Sequence, residues 1–498
     1  MGAATAFGAA FATAFAAGAF FAGARFAPDA DALVAGTFFD GAFFVAGSAA
    51  FFAGAAFAGA AFAGAAFAGA AFAGAFFVAG FAAVFVEGAD FARGVFRSAI
   101  TIACLCVPRN LWHARAHPAN GAQHRTPGAR RKPRTPQNDA SPMFLPTPRP
   151  LPLEGASLTV LGVESSCDET AASVVCVDAA GAWVRSDVVA TQVAEHAPYG
   201  GVVPEIAARA HLRAVGPVIE RAVREGGGWE SIDAVAATAG PGLIGALLVG
   251  LQAAKAVAWA RGLPFVGVNH LAGHLLAPFT RVEGEAFTAP AFPFVGLLAS
   301  GGHTAIYRCD DASTMRELGA TRDDAAGEAF DKVAKMLGLG YPGGPVVDRL
   351  AARGDAGAVT FPQALRGRSL EFSFSGLKTA VATHLGKHGA PASEQALCDL
   401  CAGVQRAIVE TLVRKLLLAA RLEGVPRVVL GGGVAANRGL RAHAAAECAR
   451  AGVTLVVPPL RACTDNAAMI AYAGAVALRA GRRDGLDLDA RASWPVGS

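Results

Sequence analysis

The sequence predicts an α/β protein of two similar halves meeting at a cleft, and three features predict it. Between residues 157 and 270, three strand-like runs are followed by alternating helical and extended segments, in the order βββαβα. That order partly repeats over residues 293–481. Glycine-rich corners follow strands in both halves, where backbone N–H groups can face a phosphate in the cleft.

In the first half, SLTVLGVESS (157–166), ASVVCVDAAGAW (172–183) and VRSDVVATQ (184–192) read as an antiparallel meander. PEIAARAHLRAVGPVIERAVREG (204–226) has apolar residues at helical spacing, with Pro204 near its start and Gly226 at its end. Strand DAVAATAG (233–240), helix GALLVGLQAAKAVAWARG (245–262) and strand PFVGVNH (264–270) complete an RNase-H-like α/β unit. In the second half, PFVGLLASGG (293–302) and TAIYRC (304–309) read as strands, and AGEAFDKVAKMLGLG (326–340) and 393–424 as helices. RVVLGGG (427–433) and TLVVPP (454–459) read as strands, and DNAAMIAYAGAVALRAG (465–481) as a closing helix.

Composition bounds the function. The 498 residues are 53% hydrophobic, which excludes wholesale disorder, and the formal charge of +4 is unevenly spread. Residues 1–106 carry three basic and five acidic side chains and residues 107–152 eight and one, which leaves 153–498 at −1. A folded part that coats nucleic acid by bulk charge is excluded, so any such contact is local or shared with a partner. Nine scattered cysteines form no disulfide framework and fit a reducing cytoplasm. Cys398 and Cys401 form a C-x-x-C, but within a helical pattern and without a second pair, so they read as core residues rather than a zinc or redox site.

Residues 1–106 form a low-complexity Ala/Phe/Gly extension, uncharged from Gly41 to Val86, in which A-F-A-G-A recurs. A membrane anchor competes with a disordered or over-extended reading of GC-rich DNA. The five-residue period gives no consistent helix face, and no charged region precedes the run as a secretory signal requires. Met143 then reads as the natural initiator. Residues 107–152, rich in Pro and Arg, read as an unfolded basic linker.

Four constellations can carry chemistry. Glu164-Ser-Ser-Cys-Asp-Glu-Thr170 sits where the first strand turns; it suits an anionic ligand, but polar turns are common. His270 and His274, at i and i+4, put both imidazoles on one helix face, the geometry a divalent metal needs and also that of an ordinary surface pair. SGGHT (300–304) and GLGYPGGP (338–345) let a nucleotide approach the backbone, or are simply tight turns. GGGVAANRGLR (431–441) joins a strand to a helix, and Asp465 in CTDNAAM completes a His/His/Asp set or only caps a helix.

Together and in this order the motifs are specific. GVESSCDET, YGGVVPEIAAR, TAGPGLIGALLVG, NHLAGHLLAP, LLASGGHT, DDAAGEAFDKVAKMLGLGYPGGP, FSFSGLKT, GGGVAANRGLR and CTDNAAMIAYAG make residues 157–497 resemble the bacterial tRNA threonylcarbamoyladenosine transferase family, formerly labelled O-sialoglycoprotein endopeptidase. The resemblance implies an actin-like ATPase (sugar kinase/Hsp70) fold, with a first domain of 157–290 plus 465–497 and a second of 291–464. It implies one divalent metal ion, Fe2+ foremost and Zn2+ as the alternative, on His270, His274 and Asp465. It assigns the adenylate ligand to Leu298, Ala299, Ser300, Gly301, Gly302, Asp331, Gly344, Asp348 and Asn437, and activity to the acidic pair Asp168 and Glu169.

The implied reaction moves a threonylcarbamoyl group from L-threonylcarbamoyl-adenylate to N6 of adenosine 37 in tRNAs reading codons that begin with A. The implied partners are tRNA, a non-catalytic paralogue and a small P-loop ATPase, in the cytoplasm and with no membrane. This chain has no G-x-x-x-x-G-K-[ST] of its own. One departure is visible: many relatives carry Glu between the histidines, where this chain has Ala272. The metal set is unaffected, and no H-E-x-x-H base remains for a peptidase. A small-molecule kinase of the same fold needs no His/His/Asp metal site, and a silent paralogue is expected to lack these motifs.

Overall fold

Several strands of the first half are continuous apolar runs, the pattern of strands buried on both faces. In a computed structural model, which describes residues 148–497 except Glu154 and Ala286, β1 (Leu158–Glu164), β2 (Glu169–Asp178) and β3 (Gly181–Thr191) form an antiparallel meander. The low-complexity extension and nearly all of the basic linker lie outside the described residues. The β2–β3 turn falls at Ala179–Ala180, earlier than the Trp183/Val184 break read from the sequence. There the Asp178 carboxylate accepts from the N–H groups of Ala180 (2.7 Å) and Gly181 (3.1 Å), which closes the hairpin.

Helix α1 (Pro204–Glu225), β4 (Ala234–Gly240), α2 (Ile244–Arg261) and β5 (Phe265–Asn269) follow, then the short α3 (His270–Leu276) and the two-residue β6 (Thr280–Arg281). β4 and β5 join parallel to β1, so the sheet order is β5-β4-β1-β2-β3-β6. The second sheet repeats this plan. β7 (Phe294–Ala299), β8 (Thr304–Cys309) and β9 (Met315–Ala320) form the meander, and β10 (Arg427–Gly431) and β11 (Thr454–Val456) add parallel to β7 in the order β11-β10-β7-β8-β9. The intervening helices are α4 (Ala326–Met336), α5 (Gly343–Ala351), α6 (Ser375–His388), α7 (Glu394–Leu422) and α8 (Arg438–Ala451). Two copies of one β-order, each meander flanked by parallel strands, make this the actin-like arrangement of two RNase-H-like units. Helix α9 (Ala467–Arg479) returns from the second unit to pack on β1, β2 and β4 of the first.

The alternation decides where the helices lie. Leu161 and Val163 turn towards α1 and α2, meeting Val215, Ile219 and Val249. On the opposite face, Leu158 and Val160 share a core with Leu271 and Leu275 of α3 and with Met469 and Ile470 of α9. In the second sheet, Val295 and Leu297 meet Ile408 and Leu412 of α7, while Phe294, Leu298 and Val429 turn into the same core as α3. Helix α3 is thus wedged between the sheets. One close approach demands glycine: a Cβ on Gly162 would lie 2.3 Å from the Ala467 carbonyl oxygen.

Candidate metal centre and cleft

Helix α3 starts abruptly because Asn269 caps it: its Oδ1 accepts from Leu271 N (2.9 Å) and Ala272 N (3.2 Å). The first helical residue is therefore His270, and one turn later comes His274, with the ring centroids 4.7 Å apart and the planes at 80°. Asn466 caps α9 in the same way, accepting from Met469 N (3.0 Å), and this holds Asp465 just ahead of the helix. Asp465 Oδ1 lies 3.0 Å from His274 Nε2 and 3.6 Å from His270 Nε2. Residues 191 positions apart are brought together, and the three donor atoms lie within 4.8 Å of one another.

The surroundings orient these donors. His270 Nδ1 faces Glu164 Oε2 (3.0 Å) and Ser166 Oγ (3.1 Å), so an Nδ1–H donated to the carboxylate leaves Nε2 for a metal. Glu164 has no exposed surface and also accepts from Ser166 N and from the Thr238 hydroxyl. Burial opposes charge on both partners, yet His270 holds Glu164 below the usual carboxylate range. Burial likewise works against the His270 imidazolium, but Glu164 and Asp465 outweigh it and bring the ring up to about 9. Asp465, partly buried, is held well below its usual range by His270 and His274, which outweigh the opposing effect of burial. His274 Nδ1 is buried without a hydrogen-bond partner.

Two imidazoles and one carboxylate, one imidazole braced by a buried carboxylate and the other with an unpaired ring nitrogen, fit a divalent transition metal with open positions. Sequence reasoning missed Glu164's contact with His270, and it missed His303. That ring sits close enough to feel both other histidines: burial first, then their charge, bring it down to about 4. Its only signal in the sequence is its place beside the Ser300–Gly302 corner.

Asp168 lies on the turn between β1 and β2, and Glu169 opens β2. The turn is pinned from α1 by fully buried His211, whose Nε2 donates to Cys167 O (3.0 Å) and whose Nδ1 accepts from the Thr170 hydroxyl (2.7 Å). Burial, followed by Asp465 and Asp168, raises Glu169 to about 10. Burial, then the charges of Asp168 and Asp331, pushes the Tyr341 hydroxyl far up as well.

Leu298 and Ala299 end β7, and Ser300 to Gly302 form the corner, closed by Ser300 N donating to His303 O (2.8 Å). The end of the neighbouring strand approaches α3: a Cβ on Gly431, which pairs with Leu298, would meet the His274 carbonyl oxygen at 3.1 Å and Leu298 Cδ1 at 3.7 Å. Asp331 on α4 accepts from Gly343 N (2.7 Å) at the start of α5, beside Gly344. Asp348 on α5 accepts from Arg438 Nε (2.8 Å), and Asn437 caps α8 through Leu440 N (2.8 Å) while donating to Gln405 (2.7 Å). The residues assigned to the adenylate thus come from β7, α4, α5 and the β10–α8 corner, all in the second half. The metal donors and acidic pair come from the first half and from α9.

Residues 184–472 match the family model described as tRNA N6-adenosine threonylcarbamoyltransferase. A protein of that name from Sorangium cellulosum is 63% identical over 341 residues, which cover 66% of this chain and 95% of the relative. Another from Anaeromyxobacter dehalogenans is 56% identical over 338 residues (67% and 98%), and one from Geobacter metallireducens is 54% identical over 341 (68% and 97%).

Proposed function

The chain belongs to the tRNA N6-adenosine threonylcarbamoyltransferase family, and from that membership we propose how its cleft works. The enzyme transfers the threonylcarbamoyl group of L-threonylcarbamoyl-adenylate to N6 of adenosine 37 in tRNAs reading codons that begin with A. The N6–carbon bond forms, the bond from the carbamoyl carbon to the AMP phosphate oxygen breaks, and AMP leaves with that electron pair. One N6 proton is given up. An exocyclic amine is a poor nucleophile, so positioning and stabilisation of the departing phosphate carry the rate.

His270, His274 and Asp465 hold one divalent ion, Fe2+ by our first assignment and Zn2+ by the second. When bound, the ion supplies Lewis-acid stabilisation of charge on phosphate or acyl oxygens. Glu164 keeps the His270 ring turned so that Nε2 faces that position. The amides of the Leu298–Gly302 corner fix the adenylate, with Asp331, Gly344, Asp348 and Asn437 around it. Asp168 or Glu169, across the cleft, receives the N6 proton or steers the base. A non-catalytic paralogue and a small P-loop ATPase complete the system in the cytoplasm. Among the described residues no helix is long and apolar enough to cross a membrane.

The observation that supports this reading is the convergence of His270, His274 and Asp465, whose donor atoms lie within 4.8 Å of one another. Substituting His270→Ala or Asp465→Ala is expected to abolish threonylcarbamoyl-adenosine in tRNA with the fold intact. Mass spectrometry of tRNA nucleosides from cells complemented with each variant checks it. Unchanged modification refutes the metal assignment.

A further inference from the structure

Between Phe361 and β-bridged Phe372, the chain projects Arg366-Gly367-Arg368, all three exposed. The base of this finger is held from beneath by Lys415 of α7, whose side chain is fully buried. Its Nζ donates to Leu365 O (2.9 Å) and Ser369 O (2.8 Å), drawing together two carbonyls that flank the tip. Leu365 is left at φ +50°, in the left-handed region that non-glycine residues seldom adopt. Arg414 donates from Nη1 to Arg366 O (3.1 Å), while its Nε and Nη2 are buried without a hydrogen-bond partner. Burying an ammonium and a half-satisfied guanidinium is costly, so the shape of this loop is not the cheapest way to end a surface turn.

The charge here is one-sided. Residues 361–388 and 406–415 hold seven Lys or Arg against two carboxylates, within a folded part whose sum is −1. Both carboxylates are engaged: Glu371 by Arg322, and Glu410 by Gln363 Nε2 (2.5 Å). Among the described residues no carboxylate pairs with Arg366, Arg368 or the exposed Lys378 of α6. The finger also stands on the framework of the glycine corner. Phe372 N donates to Ala320 O (3.0 Å), Asp323 accepts from Phe374 N (2.7 Å), Ala326 N donates to the Thr304 hydroxyl (2.8 Å), and Gly327 N donates to Ser300 O (3.1 Å).

We propose that the Arg366–Arg368 finger, with Lys378, binds the phosphate backbone of the tRNA acceptor. The proposal rests on tRNA being the acceptor. Arginine's planar fork suits phosphate oxygens, and an enzyme of near-neutral folded charge needs its phosphate contacts concentrated.

The test is an anisotropy titration of labelled, unmodified tRNA transcript with the full-length chain at several salt concentrations. The variants are R366A/R368A and R366K/R368K. At about 100 mM salt the alanine pair is expected to bind roughly tenfold more weakly. Its log Kd against log salt slope should be shallower by about 1.5, as two lost phosphate contacts imply. The lysine pair should keep the slope. In the transfer reaction KM for tRNA should rise while kcat and metal content hold. Unchanged affinity and slope in an alanine variant of an enzyme that modifies tRNA refute the finger alone. A wild-type chain that neither binds nor modifies tRNA when the paralogue and the ATPase are present refutes the acceptor reading, and the finger with it. A defect confined to binding an acidic protein overturns the RNA assignment in favour of a protein partner.

Discussion

Glu164 shows what a motif can and cannot reveal. His270, His274 and Asp465 announce themselves by helical spacing and a helix-start aspartate, and the resemblance named them together. Glu164 was legible only as part of a polar turn, because its bond to His270 joins residues 106 positions apart. His211 and His303 escaped for the same reason, since nothing in their local sequence marks a partner. Glu164→Ala is expected to weaken metal binding about 10- to 100-fold, as loss of a brace on a ligating histidine does; chelator competition measures it. Asp187 carries a different consequence. Its Oδ1 is buried without a partner, and burial raises its pKa to about 6 although Arg461 opposes the shift. A carboxyl raised in the folded state costs no stability below the unfolded value near 3.9 and its full cost above about 6. Asp187→Asn should therefore raise Tm at pH 7.5 and leave it nearly unchanged at pH 4, as thermal melts at the two pH values will tell.

The strands with continuous apolar runs, β1, β4, β5, β7 and β10, were readable because both faces are buried and every residue reports it. β9 was not: MRELGA has one buried residue and lies at a sheet edge, so its pattern is that of a loop. Helix α5 was read as part of a glycine corner because Gly343, Gly344 and Pro345 open it, a composition that signals turns until Asp331 is seen capping its first N–H. The second and third strands were divided three residues late because Gly181 and Ala182 look equally extended, and only the Asp178 side chain fixes the turn. The resemblance puts 465–497 with the first domain, but the point where α9 meets β1, which positions Asp465, leaves no mark in the local sequence. Gly162→Ala would drive a methyl into the Ala467 carbonyl and should cost about 1–3 kcal/mol, as overpacking does. Because the displaced helix carries Asp465, metal affinity should fall with stability; urea unfolding and metal titration on one preparation will show whether the two move together.

The duplicated sheet order makes two halves, and the candidate site draws its residues from both. The glycine corners belong to the second half, whereas His270 and His274 belong to the first and Asp465 to the segment that returns to it. The last residues bind the first sheet: Asp484 N donates to Phe265 O of the edge strand β5 (2.9 Å), Arg491 N to Ala239 O of β4 (2.7 Å), and Asn269 Nδ2 to Trp494 O (2.9 Å). Asn269 thus ties the chain's end to the cap of the metal helix. All these groups fall within residues 157–497, so a chain shortened to begin at Met143 should transfer threonylcarbamoyl at the full-length rate. Side-by-side turnover of the two lengths checks this, and an inactive short form would give residues 1–142 a role. The decisive experiment is a metal count per chain alongside threonylcarbamoyl transfer to unmodified tRNA, for the wild type, His270→Ala and Asp465→Ala. One ion per active wild-type chain, with loss of both ion and transfer in the variants, is expected. A wild-type preparation free of metal yet fully active, or a variant that keeps transferring without its ion, would contradict a catalytic cation held by His270, His274 and Asp465.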